Sequence, residues 1–294
     1  MKKRIVYSAL LLTVALLLSV FMSSCDEIDI SFGSEYPFDT DISTDADIVV
    51  ADPALLQYTL LYDGTYGVSI GLATDAEFIA VPSTHEGIAV TVINTDGFKD
   101  AKALKGIDLP ESIVGIGMSS FAGCGALKYV NMSEGVRMID GNAFAGCESL
   151  TSVVIPDSLE SVGSASFSGC TGLLSVTFGS GIKTIADSAF SGCSALINIE
   201  IPDSVTYIGE LAFEKCTSLT EVTLPDGVIS IEPYTFVGCT ALERVGLGAG
   251  IETVSVGAFD GCKKLVEIGY RGTEEQWSAV NKYDGMGSVS VKFN

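Results

Sequence analysis

Seven of the eight cysteines stand at 124, 147, 170, 193, 216, 239 and 262, a constant step of 23 residues. Thiols bridge, hold zinc or act as nucleophiles, and each use demands its own placement. None of these seven forms a Cys-x-x-Cys pair, and seven is an odd number for a disulfide framework. Identical phase in a repeat makes them neighbours on one interior ladder. In-register side chains on stacked coils point the same way, which is poor geometry for the twisted bridge of a disulfide. They therefore read as buried free thiols acting as small hydrophobes.

Carboxylates are the second group with potential chemistry. Copies of the repeat begin at Ala101 and at each of the seven cysteines; counting that residue as position one, position eleven is acidic in Glu111, Glu134, Asp157, Asp203 and Asp226. Stacking aligns these into a ridge that could bind calcium, dock a basic partner, or keep a turn solvated and prevent aggregation; the solvated turn is the favoured reading. A pair suited to glycoside hydrolysis could be picked from 37 acidic side chains at will, yet no pair breaks the repeat as an active site does. His85, the single histidine, reads as a loop residue near Pro82 and Gly87 rather than a base, and Trp277, the single tryptophan, reads as cap core rather than a sugar platform. Gly-x-Ser-x-Gly, phosphate-loop and dinucleotide fingerprints do not occur. The chain reads as non-enzymatic, with no cofactor and no metal.

Composition agrees. The 294 residues are 47% hydrophobic, enough for a large core, and carry a net charge of -21. Such a chain repels a phosphate backbone, so nucleic acid is excluded as a partner.

The elements that position these residues follow from the period. Position four is leucine in all eight copies, Leu104 to Leu265; position seven is Ile or Val, Ile107 to Ile268; position nine is apolar, as in Leu109, Ile155 and Leu247. Leu-x-x-Val-x-Ile alternates with period two and marks a strand with one face inward. Proline at position ten (Pro110, Pro156, Pro202, Pro225) ends it. Positions thirteen and sixteen are apolar again, position twenty-one is Phe from Phe121 to Phe259, and glycine usually closes the turn. One coil per repeat cannot bury its apolar face alone, so the coils must stack into a right-handed solenoid with Leu, Phe and Cys ladders inside.

The pattern Cys-x-x-Leu-x-x-Val-x-Ile-Pro-x-x-Val-x-x-Ile-(Gly)-x-x-Ala-Phe-x-Gly resembles the BspA-type leucine-rich repeat family over about residues 78–272. It departs from ordinary leucine-rich repeats in having Ser158 or Gly181 where an asparagine ladder is usual. The resemblance implies a strand-dominated leucine-rich repeat solenoid, of repeat α/β class, and an adhesin-like function toward a protein or host matrix component. A glycan-binding accessory lipoprotein of a nutrient-uptake system is the alternative.

Solenoid ends need covers. Upstream, Leu55–Leu61 and Gly67–Leu72 flank Asp63-Gly64 and read as a capping hairpin, and 78–100 carries a degenerate first coil. Downstream, Thr273-Glu274-Glu275-Gln276 has capping-box spacing, predicting a helix over Glu274–Asn281 whose Trp277 and Val280 seal the last coil, followed by a strand at Val289–Phe293. The organisation expected is 1–24 signal, 25–54 acidic tether, 55–100 cap and degenerate coil, 101–272 repeats and 273–294 C-terminal cap.

At the N-terminus, Lys2, Lys3 and Arg4 precede an apolar run from Ile5 to Met22 and then Ser23-Ser24-Cys25. These residues resemble a bacterial lipoprotein signal, with Met22 where leucine is usual; an uncleaved anchor is the alternative. The resemblance implies lipidation of Cys25. Asp26 and Glu27 resemble the acidic export signal of Bacteroidetes-type surface lipoproteins, implying a lipid-anchored, surface-exposed protein of the outer membrane. Removal of the signal leaves 13 basic against 37 acidic side chains, a net charge of -24. From Asp26 to Pro53 there are nine acidic residues and no basic one, the composition of a self-repelling tether.

What varies is the outward strand face at positions six and eight: Tyr129, Asn131, Ser152, Asn198, Glu200, Glu221 and Arg244. Variable residues on an invariant frame form the candidate ligand face. Metabolic labelling with a fatty-acid probe tests the anchor: label is expected on the native chain and absent from Cys25→Ala, and equal label on both contradicts lipidation at Cys25.

Overall fold

The computed structural model describes residues 51–282 and 289–293; Cys25, the signal segment and the tether up to Val50 lie outside the described residues. The unit beginning at Ala51 is built from stacked coils with two ladders of parallel strands.

The first ladder has ten rungs, starting at Phe78–Ala80 and Gly106–Asp108, continuing through Tyr129–Asn131, Ser152–Ile155 and so on, and ending at Glu267–Tyr270 and Ser290–Phe293. These are positions six to nine of the repeat. The rungs form three hydrogen-bonded sheets, from Phe78–Ala80 to Tyr129–Asn131, from Ser152–Ile155 to Ser175–Phe178 and from Asn198–Glu200 to Ser290–Phe293, and within each the neighbours pair without slip, as in Val153↔Val176 and Val222↔Val245. Alternation is the cause: in Ser152–Ile155, Val153 and Ile155 are buried while Ser152 and Val154 face solvent. A one-residue slip would turn the whole inward set outward.

The second ladder was visible in the sequence only as apolar positions thirteen and sixteen. Two-residue strands such as Met138–Ile139, Ser161–Val162 and Thr184–Ile185 pair in parallel, with position sixteen inward. Its edge at the N-terminal end is the antiparallel hairpin of Gln57–Leu60 and Tyr66–Ser69. Asp63 closes the turn, its Oδ1 accepting from the Thr65 N–H (3.0 Å) and hydroxyl (2.7 Å). The Ala51 N–H already donates to the Phe78 carbonyl, 2.9 Å away.

A third column of inter-coil hydrogen bonds has no strand signal at all. Asn142, Phe144 and Gly146 donate from their N–H groups to Ser164, Ser166 and Ser168 of the next coil at 2.7–2.9 Å, and the pattern recurs. It requires left-handed backbone at two places per coil. Position twenty-three meets this with glycine, as at Gly146 and Gly169 (φ +72° and +71°), except at Lys215 (φ 54°). Position nineteen meets it with whatever residue stands there, including Ala165 (φ 53°) and Leu211 (φ 59°). L-residues are disfavoured there by about 1–2 kcal/mol each; the inter-coil bonds hold them in place.

Between the ladders lies one continuous core. Phe98, Phe121, Phe144, Phe167, Phe190, Phe213 and Phe236 are completely buried and stack with Phe259 as near-parallel rings, centroids 5.1–5.7 Å apart. The position-twelve contact is tighter still. A Cβ on Gly181 would stand 2.1 Å from the Asp157 carbonyl oxygen, whereas Ser158 fits and donates its hydroxyl to the Val136 carbonyl. At Gly181 no side chain can enter, while Ser158 finds both room and a partner.

The C-terminal capping box forms: Thr273 Oγ1 accepts from the Gln276 N–H at 3.2 Å and Gln276 Oε1 accepts from the Thr273 N–H at 2.8 Å. The helix, however, is Glu274–Ala279 and stops short of the expected Asn281. Val280 turns extended (ψ 128°), which buries its side chain and lets Asn281–Lys282 pair with Thr253–Val254 as the last rung of the second ladder. Trp277 is buried, 5.2 Å from the Tyr270 ring. Phe190→Ala is expected to cost roughly 3–5 kcal/mol in urea unfolding, through cavity formation at a rung with neighbours on both sides; a loss below about 1 kcal/mol would show that the ring is not core.

Candidate recognition face

The first ladder presents positions six and eight as parallel columns of side chains. Ser152, Asn198, Glu200, Glu221 and Arg244 are all exposed on it. Cross-strand register places Asn198 opposite Glu221 and Glu221 opposite Arg244. Arg244 donates from Nη2 (2.7 Å) and Nε (3.2 Å) to Glu221 Oε2, forming a surface ion pair. Tyr129 and Asn131 differ from this set. Both are half-buried and hydrogen-bond to the Asp108 carboxylate, whose pKa is raised by burial against those stabilising bonds. The freely exposed part of the face therefore begins at Ser152.

A groove of about 350 Å³ opens at the strand ends of two successive coils. Asn198, Glu200, Asp203, Glu221, Thr223 and Pro225 line it, together with Arg271 from a coil further on. Arg271 was not singled out from the sequence. It reaches back past Gly248, donating from Nη2 to the Leu224 carbonyl (3.0 Å) and pairing with Asp226 Oδ1 (3.3 Å). The signal was present: position ten is elsewhere Pro, Ser or Gly, and arginine stands there only at 271.

The acidic ridge is a hydrogen-bonding device between coils. Glu134 Oε2 accepts from the Asp157 N–H (3.0 Å), Asp157 Oδ1 from the Ser180 N–H (2.6 Å) and hydroxyl (3.1 Å), and Asp226 Oδ1 from the Ala249 N–H (3.0 Å). Each carboxylate thus satisfies an amide that the turn leaves outside both ladders. Glu111 and Asp203 are exposed and make no such bond among the described residues. No cluster of three or more metal-ligating side chains occurs among the described residues.

The thiols lie where the period places them. All seven are free and six are fully buried, with Cys262 at the C-terminal end partly exposed. Each Sγ donates to the carbonyl of the phenylalanine one coil back, from Cys124 to Phe98 (3.0 Å) through Cys262 to Phe236 (3.1 Å). Burial pushes Cys124 up to about 11 and Cys170 and Cys262 up to about 12, and it raises Cys147 and Cys193 as well. Such thiols are poor nucleophiles. His85 lies on a short strand rather than in a loop, its ring stacked on Tyr58 at 3.8 Å.

This architecture defines a strand-dominated leucine-rich repeat solenoid. The chain belongs to the BspA-type leucine-rich repeat family, whose model matches in six copies over residues 81–197 and 137–266. Among solved structures it is similar to the leucine-rich repeat protein TpLRR of T. pallidum, at 30% identity and TM-score 0.55 over 73% of this chain and 90% of that one. It is also similar in fold to the pneumococcal vaccine antigen PcpA, at 20% identity and TM-score 0.51 over 72% and 67% of the respective chains. A leucine-rich cell surface protein of Faecalibacterium prausnitzii aligns at 22% identity and TM-score 0.38, over 83% of this chain and 100% of that one. Nothing among the curated proteins matches the sequence.

Because the fold holds thiol protons more tightly than the unfolded chain does, stability is full below the ordinary thiol value of 9.0 and falls as pH rises through 9 toward 11–12. Each raised thiol is expected to remove about 1.4 kcal/mol at one unit above its ordinary value. Urea midpoints at pH 8 and pH 10 measure this, with seven thiols counted after denaturation of chain lacking Cys25. A midpoint unchanged by pH, or two or fewer thiols, contradicts the ladder chemistry.

Proposed function

We propose that this protein is a surface-anchored, non-enzymatic recognition solenoid, held by lipid at Cys25, whose first-ladder face binds an extracellular or host matrix protein. The observation that carries the reading is the division of labour along each strand. Inward positions are fixed as core, while the outward column from Ser152 to Arg244 is exposed and varied, with Asn198, Glu221 and Arg244 set in one register. A rigid frame with a variable polar surface lowers the ordering cost of binding, because the contact residues need no backbone rearrangement.

A protein partner suits this strip better than a glycan. Exposed aliphatic side chains, among them Val154 at 62% and Ile197 at 46%, lie beside the polar column, the mixture found in protein interfaces. Sugar recognition favours exposed aromatic platforms. Trp277 is packed in the cap, and Tyr129, the one aromatic at positions six and eight of the repeats, is half-buried against Asp108. Among the described residues no helix is long and apolar enough to cross a membrane.

The test is capture of the purified chain on immobilised matrix proteins, with a glycan array in parallel. Replacing Asn198, Glu221 and Arg244 together by alanine removes the ion pair as a unit and is expected to lower protein capture at least tenfold, with stability changed by less than about 0.5 kcal/mol. Lys183→Ala with Glu252→Ala, exposed on the second ladder, should leave capture intact. Equal loss from both sets, or glycan binding lost only on changing the Trp277 cap, overturns the proposal.

A further inference from the structure

The groove at the strand ends has an amphipathic lining whose charge is unevenly compensated. Its lining includes the half-buried Ile201 beside the buried Ile199, Val222 and Pro225, and its rim carries Glu200, Asp203 and Glu221. Two of its charges are already answered within the fold: Glu221 pairs with Arg244 and Arg271 pairs with Asp226. Glu200 and Asp203 have no hydrogen-bond or ion-pair partner among the described residues. The groove therefore holds two uncompensated carboxylates beside the half-buried Ile201.

The acidic ridge is interrupted at this place. At three other steps a position-eleven carboxylate accepts from the next coil's position-eleven amide and draws the two turns together. The step from Asp203 to Asp226 lacks that bond among the described residues. Here two proline turns, Pro202-Asp203 and Pro225-Asp226, follow one another, whereas Asp157 and Asp226 are each followed by a turn starting with glycine, Gly179 and Gly248. In those glycine turns a Cβ would stand 2.5–2.6 Å from backbone atoms of the preceding turn. Proline alone does not decide the matter, because Glu134 reaches the Asp157 N–H across the Pro156 turn at 3.0 Å; at the 203–226 step a shorter aspartate meets a second proline turn, and the Asp203 carboxylate makes no such bond among the described residues.

We propose that this groove seats a basic side chain, arginine or lysine, from an extended segment of the protein partner; the inference rests on the recognition reading above and names the chemistry of its occupant. The complementarity is of two kinds. An aliphatic stem lies against the half-buried Ile201 while the cationic head meets Glu200 and Asp203. The exposed sheet face beside it, Asn198 and Thr223 included, offers polar contacts to the flanking residues.

The experiment uses a fluorescein-labelled nonapeptide of Ser and Gly carrying two arginines two residues apart, with citrulline and glutamate counterparts, titrated into the purified chain by anisotropy. The arginine peptide is expected to bind at least tenfold tighter than the citrulline peptide, more weakly as salt rises, and the glutamate peptide not at all. Glu200→Gln with Asp203→Asn should remove the arginine preference, while Glu160→Gln with Glu252→Gln, the same charge change on the second ladder, should preserve it. Equal binding of arginine and citrulline peptides, or equal losses from the two double variants, overturns the groove as a cation seat. Matrix-protein capture that survives Glu200→Gln/Asp203→Asn but fails in the Asn198/Glu221/Arg244 variant overturns the basic occupant and leaves the recognition face standing.

Discussion

Every coil of this protein depends on the coil before it for its backbone hydrogen bonds. A single 23-residue turn has few partners of its own: its first strand, its second strand and its left-handed corner each donate to carbonyls one repeat away. The side chains obey the same dependence. Phenylalanine stacks on phenylalanine, the thiol donates to a carbonyl one coil back, and the ridge carboxylates reach the next turn. Stability in such an array is a sum of nearest-neighbour interfaces, so the repeat tolerates almost no insertion within it. The constant spacing of the cysteines is the record of that constraint.

The same dependence leaves a surface free. Because the inward positions and the corners carry the stacking energy, positions six and eight contribute little to it and are available for recognition. Departures from regularity then become informative. Asp108 collects Tyr129 and Asn131 at one end of the face, Arg271 spans a glycine turn at the other, and a groove lies beside Asp203 and Pro225. None of these carries catalytic geometry; each changes shape or charge locally on a fixed frame.

The caps show how ends are managed without neighbours. A hairpin closes the N-terminal edge of the second ladder, and at the other end Tyr270, Trp277 and Val280 supply the apolar cover that another coil would otherwise provide. The capping-box helix is short because its last residues are drawn into pairing with Thr253–Val254. Local capping signals set where that helix starts, and tertiary pairing sets where it stops.

By itself the sequence determined what repetition makes local: the 23-residue period, the inward ladders of Leu, Phe and Cys, the first strand with its two faces, the capping hairpin and the capping box. These are legible because period-two alternation and fixed phase follow directly from covalent order. Only the tertiary structure decided the rest. The second ladder consists of two-residue strands too short to leave a pattern, and the left-handed corner is imposed on Ala165, Leu211 and their equivalents by stacking instead of by glycine. Likewise, the fate of each carboxylate, bonded at Glu134 and Asp157 and open at Asp203, depends on its reach to an amide 23 positions on. Single-coil patterns cannot contain that information, because the groove and its charge exist only between coils.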